Sequence, residues 1–222
     1  MDVTIEYICF ICIIVPLIMM TITLPGKGRL IIGSMGMGLF ISLLSSEVSG
    51  AIIRELKISD MLYITTNITP LIEEILKALP ILIYAFLFAE RREILLSCAF
   101  GIGVGFAVLE NIVILLRAVM VNPESANYLW AFVRGFGSGL MHAVTTMMVA
   151  IIVNFVKKQR KLILPGVTAM LCVAAAYHAI YNALVQSDLK YLGFVLPLIT
   201  YAMLSPLTFK GRFPSKKKKG VA

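Results

Sequence analysis

Long apolar runs, broken by short polar or turn-forming stretches, dominate the chain from one end to the other. A run of about 20 apolar residues spans the roughly 30 Å hydrocarbon core of a bilayer as a helix. Seven runs qualify: Tyr7–Leu24, Leu30–Ile53, Met61–Phe88, Ile94–Leu116, Leu129–Val156, Leu162–Gln186 and Tyr191–Phe209. Between them lie Pro25-Gly26-Lys27, the stretch from Arg54 to Asp60, Glu90-Arg91-Arg92-Glu93, Asn122-Pro123-Glu124, Lys157 to Lys161, and Ser187-Asp188-Leu189-Lys190. A membrane β-barrel would instead need segments of about ten residues alternating in polarity, and none occurs. The pattern predicts an all-α polytopic membrane protein, a bundle of about seven transmembrane helices. The third and fifth runs hold 28 residues each, long enough to tilt or to project from the bilayer.

Composition sharpens this reading. Of 222 residues, 59% are hydrophobic and 14% charged, against about 45–50% and about 25% in a soluble domain. One soluble core cannot hide that much apolar surface, and a disordered chain would be charged and apolar-poor. Both classes are excluded. The expectation is one integral-membrane domain over residues 1–222, with residues 210–222 as a basic tail. Met1 to Glu6 lack the basic start of a cleaved signal peptide, so the first span is expected to be retained.

Charge then orients the chain, because lysine and arginine collect on the cytoplasmic side. The odd-numbered loops and the tail carry Lys27, Arg29, Arg91, Arg92, Lys157, Lys158, Arg160, Lys161, Lys210, Arg212 and Lys216 to Lys219. The other side carries only Arg54, Lys57, Arg117 and Lys190. The N-terminus is expected outside and the C-terminus in the cytoplasm of a multi-pass cell-membrane protein. The net charge of +8 follows from inside loops and the lysine run, which suits anionic headgroups. No folded basic surface is left over for nucleic acid. Cys9, Cys12, Cys98 and Cys172 all fall in apolar runs and read as small buried thiols, with no zinc set around Cys9-x-x-Cys12.

Ionisable residues inside a span cost about 2.5–3.5 kcal/mol each on insertion scales and mark function by default. The deep ones are Glu73, Glu74, Lys77, Glu110, His142 and His178, and they include both histidines of the chain. Lys77 sits three and four residues from the two glutamates and can pair with either. Glu73 and Glu74 diverge by about 100° around the axis, so one can face a reacting centre while the other holds a neighbouring helix. Pro70, one turn earlier, is expected to disturb the helix and free a carbonyl. Gly101-x-x-x-Gly105 precedes Glu110-Asn111, and Gly135-Phe136-Gly137-Ser138-Gly139 precedes His142, Thr145 and Thr146; such small faces admit close backbone approach. His178 and Asn182 stack as i and i+4. Arg134, near the start of its run, reads as structural, snorkelling outward.

The set suits a hydrolase. A carboxylate in an apolar site can take a proton from water, and His or Asn donors can stabilise the oxyanion of a tetrahedral intermediate. Glu and His could alternatively ligate zinc with an open water position. Neither H-E-x-x-H nor G-x-S-x-G is present. A proton- or cation-coupled transporter is the rival class, since relays use the same residues, although internal repeats with paired broken helices are missing. A non-catalytic immunity or sensor partner is the third.

Four motifs on successive runs carry a resemblance: Glu73-Glu74-Ile75-Leu76-Lys77, Phe106-Ala107-Val108-Leu109-Glu110-Asn111, His142-Ala143-Val144-Thr145-Thr146 and His178-Ala179-Ile180-Tyr181-Asn182. Together, over residues 73–182, they resemble the PrsW family of intramembrane proteases, in the superfamily of CAAX-prenyl proteases and bacteriocin-processing proteins. The resemblance implies a glutamate-dependent peptidase that cuts a membrane-anchored protein. In that family the best-known reaction is the first cut of an anti-sigma factor, which starts a stress response. It implies Glu73 as water-activating base with Glu74 as its partner, His178 and Asn182 as the oxyanion site, and Lys77 and Asn111 in support. The CAAX relatives carry a histidine where this chain has Glu110, so the roles of Glu110 and His142 stay open. Metal-free catalysis is preferred; if zinc is the cofactor, its ligands would come from Glu73, Glu110, His142 and His178.

Helix rise adds a depth to these residues. At about 1.5 Å per residue, Glu73 lies about 18 Å from Met61, His142 about 20 Å from Leu129, Glu110 about 9 Å from Leu116 and His178 about 12 Å from Gln186. Allowing for the excess length of the third and fifth runs, all four fall in one layer in the outer half of the bilayer. Cleavage is therefore expected on the extracytoplasmic side.

Overall fold

The computed structural model describes residues 26–88, 91–121 and 128–209. Every element in those residues is helical. Helix α1 runs Gly26–Leu56. A short turn, Met61–Tyr63, capped by the Asp60 carboxylate on the Leu62 and Tyr63 amides, leads through a π-helical turn, Ile64–Ile68, into α2, Thr69–Leu87. Then come α3 at Arg92–Val121, α4 at Tyr128–Val156, α5 at Arg160–Val185 and α6 at Lys190–Phe209.

Among the described residues, four helices are long and apolar enough to cross a membrane: Lys27–Leu56, Arg92–Val121, Arg134–Val156 and Arg160–Val185. Lys190–Ser205 is a shorter apolar helix. Helix α2 is not among the four, and its sequence gives the reason: Glu73, Glu74 and Lys77 crowd its 19 residues. The expected run Tyr7–Leu24, with Cys9 and Cys12, and the tail 210–222 lie outside the described residues. The expected seven-helix count is therefore not established, while the all-helical, membrane-embedded character is.

Helix α4 is the hub, packed against α2, α3, α5 and α6, while α1 lies along α3. Glycines set the closest approaches. A Cβ on Gly38 would strike the Ile102 carbonyl, and one on Gly105 would strike the Met35 carbonyl, so α1 and α3 meet backbone to backbone. Gly103, two residues from either member of the expected Gly101/Gly105 face, points the other way; its Cβ would strike the His142 carbonyl and Ala143. The second expected glycine face behaves differently. Gly137 abuts the Tyr181 hydroxyl, but Gly135 and Gly139 meet nothing among the described residues.

One half of the bundle is an apolar core. Ala78, Ile81 and Ala85 of α2 meet Leu95, Leu96, Ala99 and Ile102 of α3 and Met147, Val149, Ala150 and Val153 of α4. Cys98 is buried at this level, whereas Cys172 is exposed on α5, which corrects its reading as a buried thiol. The other half of the same helices carries the buried polar residues.

Candidate active site

Four helices contribute one buried side chain or more to a polar layer: Glu73, Glu74 and Lys77 from α2, Asn111 from α3, Ser138, His142, Thr145 and Thr146 from α4, and His178 from α5. Glu110 of α3 joins them from the edge, its side chain 23% exposed. Each arises where helical spacing turns a polar residue inward on an otherwise apolar stripe.

Lys77, fully buried, organises the interior of the layer. Its Nζ lies 2.6 Å from Glu74 Oε1, 2.9 Å from His142 Nδ1 and 3.5 Å from Thr145 Oγ1. The ammonium also stands 4.9 Å from the centre of the Phe106 ring, a cation–π distance. The spacing left Lys77 free to choose either glutamate, and it takes Glu74. Glu74 Oε1 also accepts from Thr145 Oγ1 at 3.2 Å and lies 2.9 Å from His178 Nδ1. This glutamate is structural in its bonding: three helices are tied to one oxygen.

Its neighbour Glu73 faces elsewhere, as the 100° turn between adjacent residues requires. Glu73 is buried, yet its Oε2 makes no hydrogen bond among the described residues. The nearest basic atom is His178 Nε2 at 3.7 Å, beyond hydrogen-bonding range. The His142 and His178 rings meet edge to face with centres 4.8 Å apart, so Glu73 and the two imidazoles converge.

Glu110 belongs to a second cluster on the outer flank. His142 Nε2 lies 2.8 Å from its Oε2, Ser138 Oγ donates to the same oxygen at 3.5 Å, and Arg134 Nη2 reaches Oε1 at 3.4 Å. Arg134 thus turns toward the site instead of snorkelling away, because Glu110 offers it a carboxylate. His142 bridges the clusters through its two ring nitrogens. Nothing in the linear spacing announces Arg134, Ser138 or Thr145 as partners; only their nearness in sequence to His142 could have suggested them.

Asn182 is engaged elsewhere. Its Nδ2 donates to the Thr65 carbonyl at 2.8 Å, in the π-helical turn, where Thr69 N bonds the Ile64 carbonyl instead of the residue four back. Pro70 follows at once and has no N–H to offer Thr66. The disturbance expected from the proline is therefore a widened turn, and a carbonyl there is held by a side chain from α5. Gln186 extends the contact, its Nε2 3.0 Å from Thr65 Oγ1. Asn111 is buried with its Oδ1 unpaired among the described residues and touches none of the carboxylates by hydrogen bond.

Glu73, His142 and His178 each offer a ligand atom within 4.8 Å of one another. Two imidazoles and a carboxylate are a donor set of catalytic zinc, and ligands about 2 Å from one ion stand at most about 4 Å apart, so a slight contraction would serve. A carboxylate behind His178 Nδ1 is also the outer-shell partner that zinc histidines carry. The donor chemistry fits, with one qualification in the bonding: both nitrogens of His142 are already engaged. Glu110, included in the sequence-derived ligand set, instead stands behind His142.

No curated protein and no solved structure matches the chain. A family model described as "PrsW family intramembrane metalloprotease" matches residues 27–208, which takes in all four motifs and every residue of the polar layer. The chain belongs to the PrsW family of intramembrane proteases.

Proposed function

We propose that the protein is an intramembrane endopeptidase that makes the first, extracytoplasmic-side cut in a membrane-anchored protein, with single-span anti-sigma factors as the substrate class. One observation carries the reading: a buried carboxylate oxygen on Glu73 has no hydrogen-bond partner among the described residues and faces an imidazole across 3.7 Å. An unsatisfied buried acceptor costs about 1–3 kcal/mol or more; Glu74 Oε2 is unpaired as well, and what sets Glu73 apart is that its unpaired oxygen faces the His178 ring. Glu73 is the base that takes a proton from the attacking water. Glu74, neutralised by Lys77, supports His178 and keeps the neighbouring charge compensated. The amide of Asn182 has two N–H groups; one holds Thr65, and the second is assigned to the oxyanion.

If the metal in the family description is bound, Glu73 and His178 would hold it, joined by His142 once it released Lys77 or Glu110, and it would supply a Lewis acid for water activation. The reading favoured here gives that task to the Glu73 carboxylate. Purified protein then retains cleavage after chelation and carries well under one zinc per chain.

The side of the cut rests on the distribution of lysine and arginine and on the shared depth of the four motif residues. The experiment is co-expression of candidate single-span anti-sigma factors with the wild-type chain and with Glu73→Gln. Cleavage by the first and not by the second supports the reading. Equal cleavage by both removes Glu73 from catalysis.

A further inference from the structure

Hydrogen bonds in the polar layer have directions, and the directions fix tautomers. An ammonium offers three N–H groups and no acceptor. Lys77 spends them on Glu74 Oε1, Thr145 Oγ1 and His142 Nδ1. His142 Nδ1 must accept, so its hydrogen sits on Nε2, which donates to Glu110 Oε2. At His178 the order is reversed. Glu74 Oε1, ion-paired with Lys77, can only accept, so His178 Nδ1 carries the hydrogen and donates to it. His178 Nε2 is left with a lone pair, and that lone pair faces Glu73 Oε2 at 3.7 Å. Two acceptors oppose one another, one of them buried and unpaired. With Glu73 ionised and His178 neutral, a donor with two hydrogens, or a cation, serves both.

We infer that Lys77 and Glu74 form a tautomer lock that turns the two imidazoles in opposite senses, so that His178, not His142, shares the nucleophilic water with Glu73. The inference deepens the endopeptidase reading and rests on it for the identity of that water. A water donating to Glu73 Oε2 and His178 Nε2 turns an oxygen lone pair toward the substrate. As its oxygen bonds the scissile carbonyl carbon, the C=O π pair moves onto the carbonyl oxygen and one water proton passes to Glu73. That proton then goes to the departing amide nitrogen as the C–N bond breaks. His178 holds the second hydrogen and orients the water. The assignment takes His178 out of the oxyanion role, since a nitrogen bearing a lone pair cannot donate to an oxyanion. His142 becomes a positioning residue that holds Glu110. Lys77 is a positioning residue too, acting through His142.

The chain has two histidines, so the test is direct. Nitrogen-15 spectra of histidine-labelled full-length protein in bilayers at neutral pH, assigned with His142→Gln and His178→Gln, report which nitrogen carries each proton. The lock predicts protonated Nε2 on His142 and protonated Nδ1 on His178. A His178 protonated at Nε2, or a His142 protonated at Nδ1, overturns it. Lys77→Met should release His142 into a mixture of tautomers; an unaltered His142 signal would also overturn the lock. Should that variant not fold, the wild-type spectrum decides alone. Added zinc gives a second readout: in the wild type it should perturb His178 Nε2 and leave His142 bonded to Lys77 and Glu110. Simultaneous ligation of both rings in the wild type contradicts the inference. None of these signals requires proteolysis. Correct tautomers without cleavage would sink the peptidase reading alone, and wrong tautomers with cleavage would sink the lock alone.

Discussion

Two halves of the same helices are built on opposite principles. Toward one end, α2, α3 and α4 meet through Ala78, Ile81, Ala85, Leu95, Ala99, Val149, Ala150 and Val153, an interior with no charge to compensate. Toward the other, they meet through Glu74, Lys77, Glu110, His142 and Thr145, joined with His178 of α5 in a chain of hydrogen bonds, with Glu73 beside the chain. Apolar packing would serve the second half as well as it serves the first. Replacing a buried ion pair by well-packed apolar residues is often neutral or stabilising. The polar half is therefore not explained by stability. On the proposed reading its charges serve chemistry, and the apolar half is the frame that holds them in register.

Variants that separate the two halves test this division. The largest effect is expected at Glu73→Gln, which keeps shape and removes the base. Cleavage should fall by about 10⁴-fold or more, with thermal unfolding in detergent unchanged, because Glu73 Oε2 makes no hydrogen bond among the described residues. A folded variant with full activity would end the catalytic assignment. Lys77→Met should instead damage the fold. It leaves Glu74 buried and uncompensated at a cost of about 3–5 kcal/mol, readable as a lowered unfolding midpoint. Adding Glu74→Gln should recover part of that loss; no recovery would mean that the pair is not the source.

How much of this was legible in the sequence differs between the halves. Glu73, Glu110, His142 and His178 were visible as polar residues in apolar runs, and helical spacing correctly separated Glu73 from Glu74. What spacing could not give was the rotation of one helix against another. That rotation decides that Lys77 bonds His142 across the bundle and that Arg134 turns inward to Glu110. It also decides that Gly103, outside the expected glycine face, admits α4 at His142. The widened turn at Ile64–Ile68 was half visible: Pro70 announced a disturbance, but the Asn182 bond to Thr65 depends on α5 lying alongside. In the apolar half the core was legible as a class and not as a contact map, since any of several helix faces is apolar enough to pack.

Smaller effects follow. Asn182→Ala should lower cleavage by about 10²–10³-fold, the usual cost of one oxyanion donor, and should loosen the π-helical turn, seen as faster amide exchange at Thr65 to Thr69. Loss of protection without loss of cleavage would assign Asn182 to structure. At the bottom of the scale, Ile81→Val removes one methylene from the apolar frame. About 0.5–1.5 kcal/mol of stability should go, with cleavage per folded molecule retained. A large activity loss there would mean that the two halves are not separable.

The most direct measurement is the position of the new termini in a cleaved single-span substrate, mapped by mass spectrometry after co-expression with the wild-type chain. The account predicts one primary cut at or just outside the extracytoplasmic end of the substrate's span, and none with Glu73→Gln. A primary cut at the cytoplasmic end, or one that persists in Glu73→Gln, would contradict it.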